Sequence, residues 1–336
     1  MSHSLRHILR LYLGDCSPQM NAHSSAFVPS NIALCKYWGK RDKQLNLPIT
    51  NSLSLSLGLL GTFTQITAID AQEDRVLLNG CSVPPQSPFF KKTIAFCDLF
   101  RQFGEVRFLI ETVNNIPTKA GLASSASGFA ALTLALFRFY SIPERPETLS
   151  RVARLGSGSA CRSFYRGFSE WICGTDPNGM DSFAIPFKHD WINLRIGLLK
   201  LIQIEKKWGS REAMEITRHH SPFFKQWIQQ NYGDLVNLKQ AIINQDLVQL
   251  GEITEHNALT MHATMIASYP TILYWQEETI TGIKRIWKAR EESIPVYFTL
   301  DAGPNLKLLF TQESEKIIKQ KFPEITVINP LDSPDL

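Results

Sequence analysis

A chain of 336 residues is long enough for two domains, and a hydrophobic fraction of 44% with 20% charged residues is ordinary for a globular protein. The formal net charge of +4 argues against a dedicated nucleic-acid-binding protein and suits an enzyme with a local basic pocket for an anionic substrate. The six cysteines form no Cys-x-x-Cys pair, and the chain shows neither a signal peptide nor an apolar run of membrane-spanning length. We therefore predict reduced thiols, a cytoplasmic location, and no membrane or nucleic-acid partner.

The first twenty residues are predicted to be an N-terminal extension. Their apolar patch from Ile8 to Leu13 is short, and Arg10 interrupts it. We expect residues 1–20 to lie outside the hydrophobic core, and Met20 offers an alternative start of translation.

A cluster of candidate functional residues follows between residues 30 and 52. Lys36 and Lys40 flank Tyr37 and Trp38, so both ammonium groups could face one polyanion, with the tyrosine hydroxyl between them. Solvated lysines in a strand or turn would give the same pattern, so the pair alone is weak evidence for a site.

Leucines then alternate with serines from residue 53 to residue 57, which predicts a half-buried strand. Gly58 and Gly61 come next, and residues 62–67 again have the composition of a strand. The sequence therefore predicts a β-hairpin with its turn at residues 58–61.

A loop of small residues within positions 115–129 joins a predicted strand, residues 106–111, to a predicted helix that begins near Phe129. Outward-facing backbone N–H groups in such a loop, together with the dipole of the following helix, favour an anion. Ser124 and Ser125 can cap the helix or donate hydroxyl groups to a phosphate. An ordinary serine-capped helix after a tight turn would explain the loop as well.

A second small-residue loop, residues 156–163, contains an arginine. Its glycines permit close backbone approach, its serines can donate, and Arg162 can bind a carboxylate or phosphate through two parallel hydrogen bonds. A flexible surface turn would explain the glycines and serines but gives no reason for the arginine. Further on, Asp176, Asn178 and Asp181 are typical of turns and caps, with a metal site as the weaker alternative.

The pattern changes near residue 190, where alternating apolar residues begin a strand-rich stretch, and residues 222–266 are mostly typical of helices. We place a domain boundary there, which gives domains at residues 21–190 and 191–336. The eight histidines have no carboxylate at the spacing of a metal site, and none of them indicates a catalytic role.

Near the C-terminus, a strand of β-branched and aromatic residues ends at Asp301, and a Gly-Pro turn follows at once. An aspartate at the end of a strand is usually a turn former. Beside a cationic phosphate site it would be a candidate base or hydroxyl-orienting group.

The loop within residues 115–129 resembles the phosphate-binding loop of the GHMP kinase superfamily. The superfamily pattern is Pro-x-x-x-Gly-Leu-x-Ser-Ser, which this chain matches in order with Pro117, Gly121, Leu122, Ser124 and Ser125. Within that superfamily, the chain is similar to the mevalonate diphosphate decarboxylases from about residue 25 to residue 310. Besides the loop, the similarity rests on Asn31-Ile-Ala-Leu-Cys-Lys-Tyr-Trp-Gly-Lys-Arg41, Gly156-Ser-Gly-Ser-Ala-Cys-Arg-Ser163, His262-Ala-Thr and Asp301-Ala-Gly-Pro-Asn305.

The resemblance implies a two-domain α+β fold, with a left-handed βαβ crossover in the first domain, a ferredoxin-like second domain and the active site in the cleft between them. It also implies a homodimer. The implied reaction converts mevalonate 5-diphosphate and ATP into isopentenyl diphosphate, ADP, phosphate and carbon dioxide, after transient phosphorylation of the 3-hydroxyl, with Mg²⁺ as cofactor.

Roles for individual residues follow from the same resemblance. It implies that Asp301 orients the 3-hydroxyl or accepts its proton, that Arg162 holds the substrate carboxylate, and that Asn31 and Lys36 line the reacting region. The implied diphosphate-binding residues are Tyr37, Lys40, Ser157, Ser159, Ser210 and Arg211. The implied binding residues for the ATP phosphates are Gly121, Leu122, Ala123, Ser124, Ser125 and Ala126. Mg²⁺ would come with ATP, and Ser125 is its candidate protein ligand.

The sequence departs from the family pattern at Gly209, where many relatives have a serine. Three other functions remain open: a mevalonate 3-kinase, a decarboxylase of the monophosphate, and a non-catalytic ligand sensor on the same fold. The presence of both Asp301 and Arg162 argues against the kinase, and the several diphosphate donors argue against the monophosphate enzyme. A sensor would be expected to lose its base, and Asp301 is present.

Overall fold

The structure, a computed structural model, describes residues 4–116, 124–199 and 207–332. The chain is of the mixed α+β class, as predicted, and its strands form two main sheets with helices packed against them. Elements up to residue 190 are α1 (Leu5–Leu13), β1 (His23–Cys35), β2 (Lys40–Asp42), β3 (Leu47–Pro48), β4 (Ser52–Ile69), β5 (Arg75–Leu78), β6 (Cys81–Ser82), α2 (Pro88–Cys97), β7 (Arg107–Asn114), α3 (Ser124–Phe139), α4 (Pro146–Gly156), β8 (Phe168–Trp171) and β9 (Ala184–Pro186).

The later elements are β10 (Leu194–Leu199), α5 (Ser210–His220), α6 (Phe224–Ile243), α7 (Leu247–Ile266), α8 (Glu277–Glu291), β11 (Tyr297–Leu300), β12 (Leu306–Thr311), α9 (Glu315–Lys321) and β13 (Ile325–Ile328). Short 3₁₀ turns occur at Arg101–Phe103, Gly158–Arg162 and Gln312–Ser314. Within the three described ranges, no helix is both long and apolar enough to cross a membrane.

The first sheet is built around β4, a continuous strand of 18 residues. One edge of β4 pairs with β1 along nearly its whole length, and the other edge pairs with β8 and then with β7. The predicted β-hairpin with a turn at residues 58–61 is therefore wrong. Gly58 has a φ of +57° and bends the strand, and a side chain at Gly61 would collide with the backbone of Val28. The two glycines lie where the pairing of β4 with β1 is irregular, and they do not form a turn that reverses the chain.

The neighbouring part of the sheet contains a βαβ unit, because β5 and β7 are parallel and α2 connects them. Helix α3 packs across β1 and β4. The strand predicted at residues 106–111 and the helix predicted to begin near residue 129 are confirmed as parts of β7 and α3.

The second sheet is antiparallel and has the order β11-β12-β10-β13. The strands follow along the chain as β, helices, β, β, helix, β, and this connectivity with this order is the ferredoxin-like arrangement. Side chains from β1 and β4 share one buried cluster with β10, α6 and α7. The two halves of the chain therefore meet through a common apolar core, and the end of β1 lies at their junction.

The prediction that the N-terminal segment lies outside the core is wrong. Helix α1 buries Ile8, Leu9, Tyr12 and Leu13 in the same cluster as α3 and α4. Arg10 interrupts the apolar run in the sequence, but on a helix it faces outward and pairs with Gln102. The segment is an amphipathic helix. Its apolar residues recur at helical spacing and so form one buried face, although Arg10 lies between them in the sequence.

Candidate active site

A cavity of about 380 Å³ opens at the junction of the two halves. The candidate residues that line it are Asn31, Lys36, Tyr37, Lys40, Ser125, Ala126, Ser157, Ser159, Arg162, Ser210, Arg211 and Asp301. Gly121, Leu122 and Ala123 lie outside the described residues, and so does the side chain of Ser124. The structure thus brings together side chains that are up to 270 positions apart, such as Asn31 and Asp301.

Asp301 lies between two lysines that come from different strands. Strand β11 ends one residue before it, Lys36 directly follows β1, and Lys307 belongs to β12. Lys36 Nζ lies 2.8 Å from Asp301 Oδ1, and Lys307 Nζ lies 3.2 Å from Asp301 Oδ2. Both lysine side chains are 2% exposed, whereas that of Asp301 is 31% exposed. The carboxylate is therefore fixed from behind and open toward the cavity.

This contact sets the charge of Asp301 and of Lys36. Burial alone would raise the pKa of Asp301, but the positive charges of Lys307 and Lys36 and their hydrogen bonds hold it well below its usual range. Burial lowers the pKa of Lys36 to about 8, and the carboxylate limits that fall. At neutral pH the aspartate is ionised, and most of Lys36 is protonated.

Two further side chains support this arrangement. The buried His262 lies with Nε2 3.0 Å from the carbonyl oxygen of Asp301, and burial lowers its pKa to about 3. It is therefore a neutral imidazole, which donates from Nε2 to that carbonyl. Asn257 Oδ1 accepts a hydrogen bond of 2.8 Å from the backbone N–H of Lys36. His262 is thus a hydrogen-bonding residue, which agrees with the absence of any catalytic signal for the histidines in the sequence.

Arg162 supplies a further buried cation that lines the cavity. It closes the 3₁₀ turn at Gly158–Arg162, and Nη1 donates to Ser52 Oγ at 2.7 Å. Burial lowers the pKa of its guanidinium, but an arginine remains charged at neutral pH. In the described part of the chain Nε has no hydrogen-bond partner, and no carboxylate forms an ion pair with this arginine. Its free donor and charge are available to an anion.

Asn31 Oδ1 and Tyr37 Oη are among the other buried polar atoms of cavity-lining residues that lack partners in the described part of the chain. Asn31 is oriented by its amide nitrogen, which donates to Ser159 O and Ser163 Oγ. The ring of Tyr37 lies against Gly158, where a β-carbon would come within 2.7 Å of the hydroxyl oxygen. Because buried polar groups are normally hydrogen-bonded, these two atoms mark places for a polar ligand.

The remaining wall is basic. Burial, with the nearby Arg211, lowers the pKa of Lys40 to about 8 and that of Lys92 to about 7. Arg211 Nη2 donates to Gly156 O at 2.7 Å, and Lys40 Nζ donates to Asn46 Oδ1 at 2.7 Å. Within residues 4–116, 124–199 and 207–332, none of the three cations forms an ion pair with a carboxylate. Cations held close together without counter-charges form a site for a polyanion such as a diphosphate.

Comparison with known proteins identifies the family. Residues 28–184 match the model of the diphosphomevalonate decarboxylase-like N-terminal domain, and residues 200–329 match that of the mevalonate 5-diphosphate decarboxylase C-terminal domain. The chain belongs to the mevalonate diphosphate decarboxylase family. A diphosphomevalonate decarboxylase from Debaryomyces hansenii is 36% identical over 343 residues, which cover 93% of this chain and 87% of that protein.

Solved structures of family members are similar in fold as well. The mevalonate diphosphate decarboxylase from Staphylococcus aureus has a TM-score of 0.87 at 36% identity, covering 93% of this chain and 96% of that one. The protein designated MDDEF, in complex with MVAPP, AMPPCP and magnesium, has a TM-score of 0.86 at 36% identity, covering 91% of this chain and 96% of its own.

The sequence did not reveal Lys307, which contacts Asp301, or Lys92, which lines the cavity. Lys307 was missed although a signal exists, since it is the single charge in the strand Leu306-Lys-Leu-Leu-Phe-Thr. A lysine in a strand that is buried on both sides requires a partner, and Asp301 is that partner. Lys92 was missed because it follows Lys91 on an amphipathic helix, where lysines are usually solvated.

The acidic residues between 176 and 181 are turn formers, as predicted. Asp181 accepts hydrogen bonds from the backbone of Thr175 and Asp176, and Asp176 Oδ1 accepts from the N–H groups of Asn178 and Met180. The described residues contain no group of three histidine, cysteine or acidic side chains that could hold a metal ion.

Proposed function

We propose that this protein catalyses the ATP-dependent decarboxylation of mevalonate 5-diphosphate to isopentenyl diphosphate, ADP, phosphate and carbon dioxide. The observation that carries the proposal is the ionised Asp301, which two buried lysines hold in the wall of a cavity whose other cations form no ion pair with a carboxylate of the described residues. Family membership supplies the substrate: mevalonate diphosphate decarboxylases are matched along nearly the whole chain.

The chemistry begins at the tertiary 3-hydroxyl, because hydroxide is too poor a leaving group to depart. The hydroxyl oxygen attacks the γ-phosphorus of ATP, the bond to the β-phosphate oxygen breaks, ADP leaves, and the hydroxyl proton passes to the Asp301 carboxylate as the new O–P bond forms. Asp301 accepts the hydrogen bond of the hydroxyl and fixes its direction of attack. A carboxylate with a low pKa is a weak base, but the transition state of phosphoryl transfer is loose, so placement matters more than base strength.

The second stage is elimination. The C–O bond of the new phosphate ester breaks and phosphate leaves, while the electron pair of the carboxylate C–C bond forms the double bond and releases carbon dioxide. We assign Arg162 to the substrate carboxylate, and the unpartnered Oδ1 of Asn31 to a donor of the ligand. Lys36 keeps Asp301 ionised and adds positive charge near the departing phosphate.

The diphosphate end is assigned to the basic wall. Its proposed donors are Tyr37, Lys40, Ser157, Ser159, Ser210 and Arg211, to which the structure adds Lys92. These donors and Arg162 line the same cavity, so a substrate that carries both a carboxylate and a diphosphate would find a cation for each anion.

We assign the ATP phosphates to the loop of Gly121, Leu122, Ala123, Ser124, Ser125 and Ala126, of which Ser125 and Ala126 line the described cavity. Mg²⁺ usually keeps several waters and binds through substrate phosphates with one or two protein oxygens. The hydroxyl of Ser125, near Ser157 Oγ, fits that requirement. When bound, Mg²⁺ would neutralise phosphate charge during the transfer.

Three coarser features belong to the same proposal. We place the domain boundary near residue 190, between the strands of the two sheets, and the protein in the cytoplasm. We also propose a homodimer, which the exposed Tyr232, Val236 and Ile243 on α6 would support as an apolar contact. Light scattering of the purified protein would measure its mass in solution.

The activity is tested with mevalonate 5-diphosphate labelled at its carboxylate, ATP and Mg²⁺. Equal amounts of labelled carbon dioxide and ADP are expected. ADP without carbon dioxide would indicate a 3-kinase, and binding without either product would indicate a sensor. The same assay with mevalonate 5-phosphate should be far slower; a faster reaction would assign the enzyme to the monophosphate.

A further inference from the structure

Arg154 is a buried cation just outside the cavity, in the last turn of α4. It is 0% exposed, and burial lowers its pKa. Its guanidinium donates to the carbonyls of Ser182 at 2.7 Å and Gly179 at 3.2 Å, and to the hydroxyl of Tyr12. Among the residues with described positions, no carboxylate pairs with it. A buried charge that depends on neutral oxygen atoms tolerates the loss of one of them poorly.

Tyr12 reaches this site from the N-terminal helix. Its side chain is buried together with Ile8, Leu9 and Leu13, and its hydroxyl donates to the carbonyl of Asn178 at 2.5 Å. The hydroxyl thus accepts from Arg154 and donates to the 174–182 loop, so both hydrogen-bonding capacities are used. Helix α1 lies outside the two matched family regions, residues 28–184 and 200–329.

The turn of α4 that Arg154 fixes also supports two cations of the cavity. The carbonyls of Arg154 and Leu155 accept hydrogen bonds from Asn46 Nδ2 at 2.8 and 3.1 Å, and Asn46 Oδ1 accepts from Lys40 Nζ. The next carbonyl, that of Gly156, accepts from Arg211. The last carbonyls of a helix have no partner within it, so here they serve as fixed acceptors for the basic wall.

We propose that Tyr12 is a positioning residue for Lys40 and Arg211, acting through Arg154. Helix α1 is then part of the anion-binding half of the cavity and not a dispensable extension. Without the tyrosine hydroxyl, the guanidinium must move to satisfy its donor, and the attached turn of α4 moves with it. The identity of the substrate rests on the proposed function. The hydrogen-bond network from Tyr12 through Arg154 and the end of α4 to Lys40 and Arg211 concerns the binding of an anion, whatever that anion is.

The test compares Tyr12→Phe with Ile8→Val, which trims the same buried helix face without touching Arg154. For Tyr12→Phe we expect KM for mevalonate 5-diphosphate to rise roughly fivefold, with kcat within about twofold and KM for ATP unchanged, because only uniform binding is lost. The Kd of inorganic pyrophosphate, measured by calorimetry, should weaken by a similar factor. Ile8→Val should lower the melting temperature and leave both binding constants unchanged.

A second variant reaches the network from its other end. Asn46→Gly, allowed by the φ of 52° at Asn46, removes the link between α4 and Lys40 without touching α1. It should weaken pyrophosphate binding as Tyr12→Phe does. Unchanged pyrophosphate affinity in Asn46→Gly, or in a folded Tyr12→Phe, overturns the proposal.

The two proposals fail in different ways. If the unaltered enzyme releases no carbon dioxide but pyrophosphate binding responds to Tyr12→Phe and Asn46→Gly, the decarboxylase function fails and the positioning role stands. If turnover is present and pyrophosphate binding does not respond, the positioning role fails and the function stands.

Discussion

At the scale of single residues, the site depends on one carboxylate between two ammonium groups. Lys36 and Lys307 lower the pKa of Asp301 and fix both of its oxygen atoms. Such an acid is a poor proton acceptor in the ground state, so it takes the hydroxyl proton only as the O–P bond forms, and until then it contributes orientation and charge. The residue-scale predictions separate these two contributions.

Replacing Asp301 by asparagine should reduce kcat by roughly 10²- to 10⁴-fold while substrate still binds, because the amide keeps the shape but cannot accept a proton or balance two lysines. Turnover and the Kd of mevalonate 5-diphosphate would be measured on the same preparation. Asp70→Asn, at an exposed position, is the control. A near-normal rate for Asp301→Asn would remove this residue from the mechanism.

Replacing Lys307 by methionine keeps the side-chain length and removes one of the two charges on Asp301. The pKa of the carboxyl should rise toward its usual range, since the cation at 3.2 Å no longer opposes burial. We expect kcat to fall about 10- to 100-fold, a change of roughly 1.4–2.8 kcal/mol, and the acid limb of the kcat profile to move to higher pH. An unchanged acid limb would show that Lys307 only fills space.

The basic wall should lose affinity for anions as the pH rises. The pKa of Lys92 is about 7 and that of Lys40 about 8, so both lose positive charge between pH 6 and pH 9, and a bound anion opposes that loss. The contribution of these two lysines to pyrophosphate binding should therefore weaken over this range, against the opposite trend from the deprotonation of pyrophosphate itself. In Lys92→Arg the part of the decline near pH 7 should disappear, because arginine stays charged. The Kd of pyrophosphate would be measured by calorimetry at several pH values for the unaltered protein and for Lys92→Arg. Identical dependence of Kd on pH in the two proteins would exclude Lys92 from anion binding.

At the scale of elements, the sequence predicted patterns with a regular period and missed those that depend on a partner. β7, α3 and the strand before Asp301 were predicted from alternation or composition. The hairpin at residues 58–61 was wrong because glycines mark both turns and strand irregularities, and only the pairing of β1 with β4 distinguishes them. Likewise the single charge in β12 indicates that Lys307 needs a partner, but only the pairing of β11 with β12 shows that Asp301 is that partner.

Helix α1 should be essential for stability. It buries Ile8, Leu9 and Leu13, and at 1.5–3 kcal/mol for each buried side chain this amounts to roughly 4–9 kcal/mol. Because that is comparable to the whole stability of a typical domain, a chain that begins at Met20 should unfold at a much lower urea concentration or aggregate. A chain that lacks only residues 1–3 is the control. Equal unfolding midpoints for the two truncated chains would show that helix α1 does not contribute to stability.

At the scale of the whole molecule, the cavity exists only while the two halves stay together. Besides the shared apolar core, they are joined by polar contacts at the same junction. Glu170 of β8 is 4% exposed, accepts from Asn51, and lies 2.5 Å from Lys239 Nζ of α6. Asn231 of α6 donates to Thr50 and to the backbone of Asn51. These contacts bind the second half to the strand that carries Ser52, the partner of Arg162.

Removing one partner of the ion pair between Glu170 and Lys239 should therefore lower the free energy of unfolding more than removing both. Lys239→Met leaves the Glu170 carboxylate buried without its cation, and we expect a loss of roughly 2–4 kcal/mol in the free energy of unfolding, since breaking a buried pair typically costs 3–5 kcal/mol and Lys239 is partly exposed. The double variant Glu170→Gln with Lys239→Met should recover much of this loss, because a neutral amide needs no counter-charge. Urea unfolding of the four proteins of this cycle gives the interaction energy directly. If the two single effects simply add, the ion pair does not hold the halves together, and the Asn231 hydrogen bonds and the apolar core shared by β1, β4, β10 and α6 do so without it.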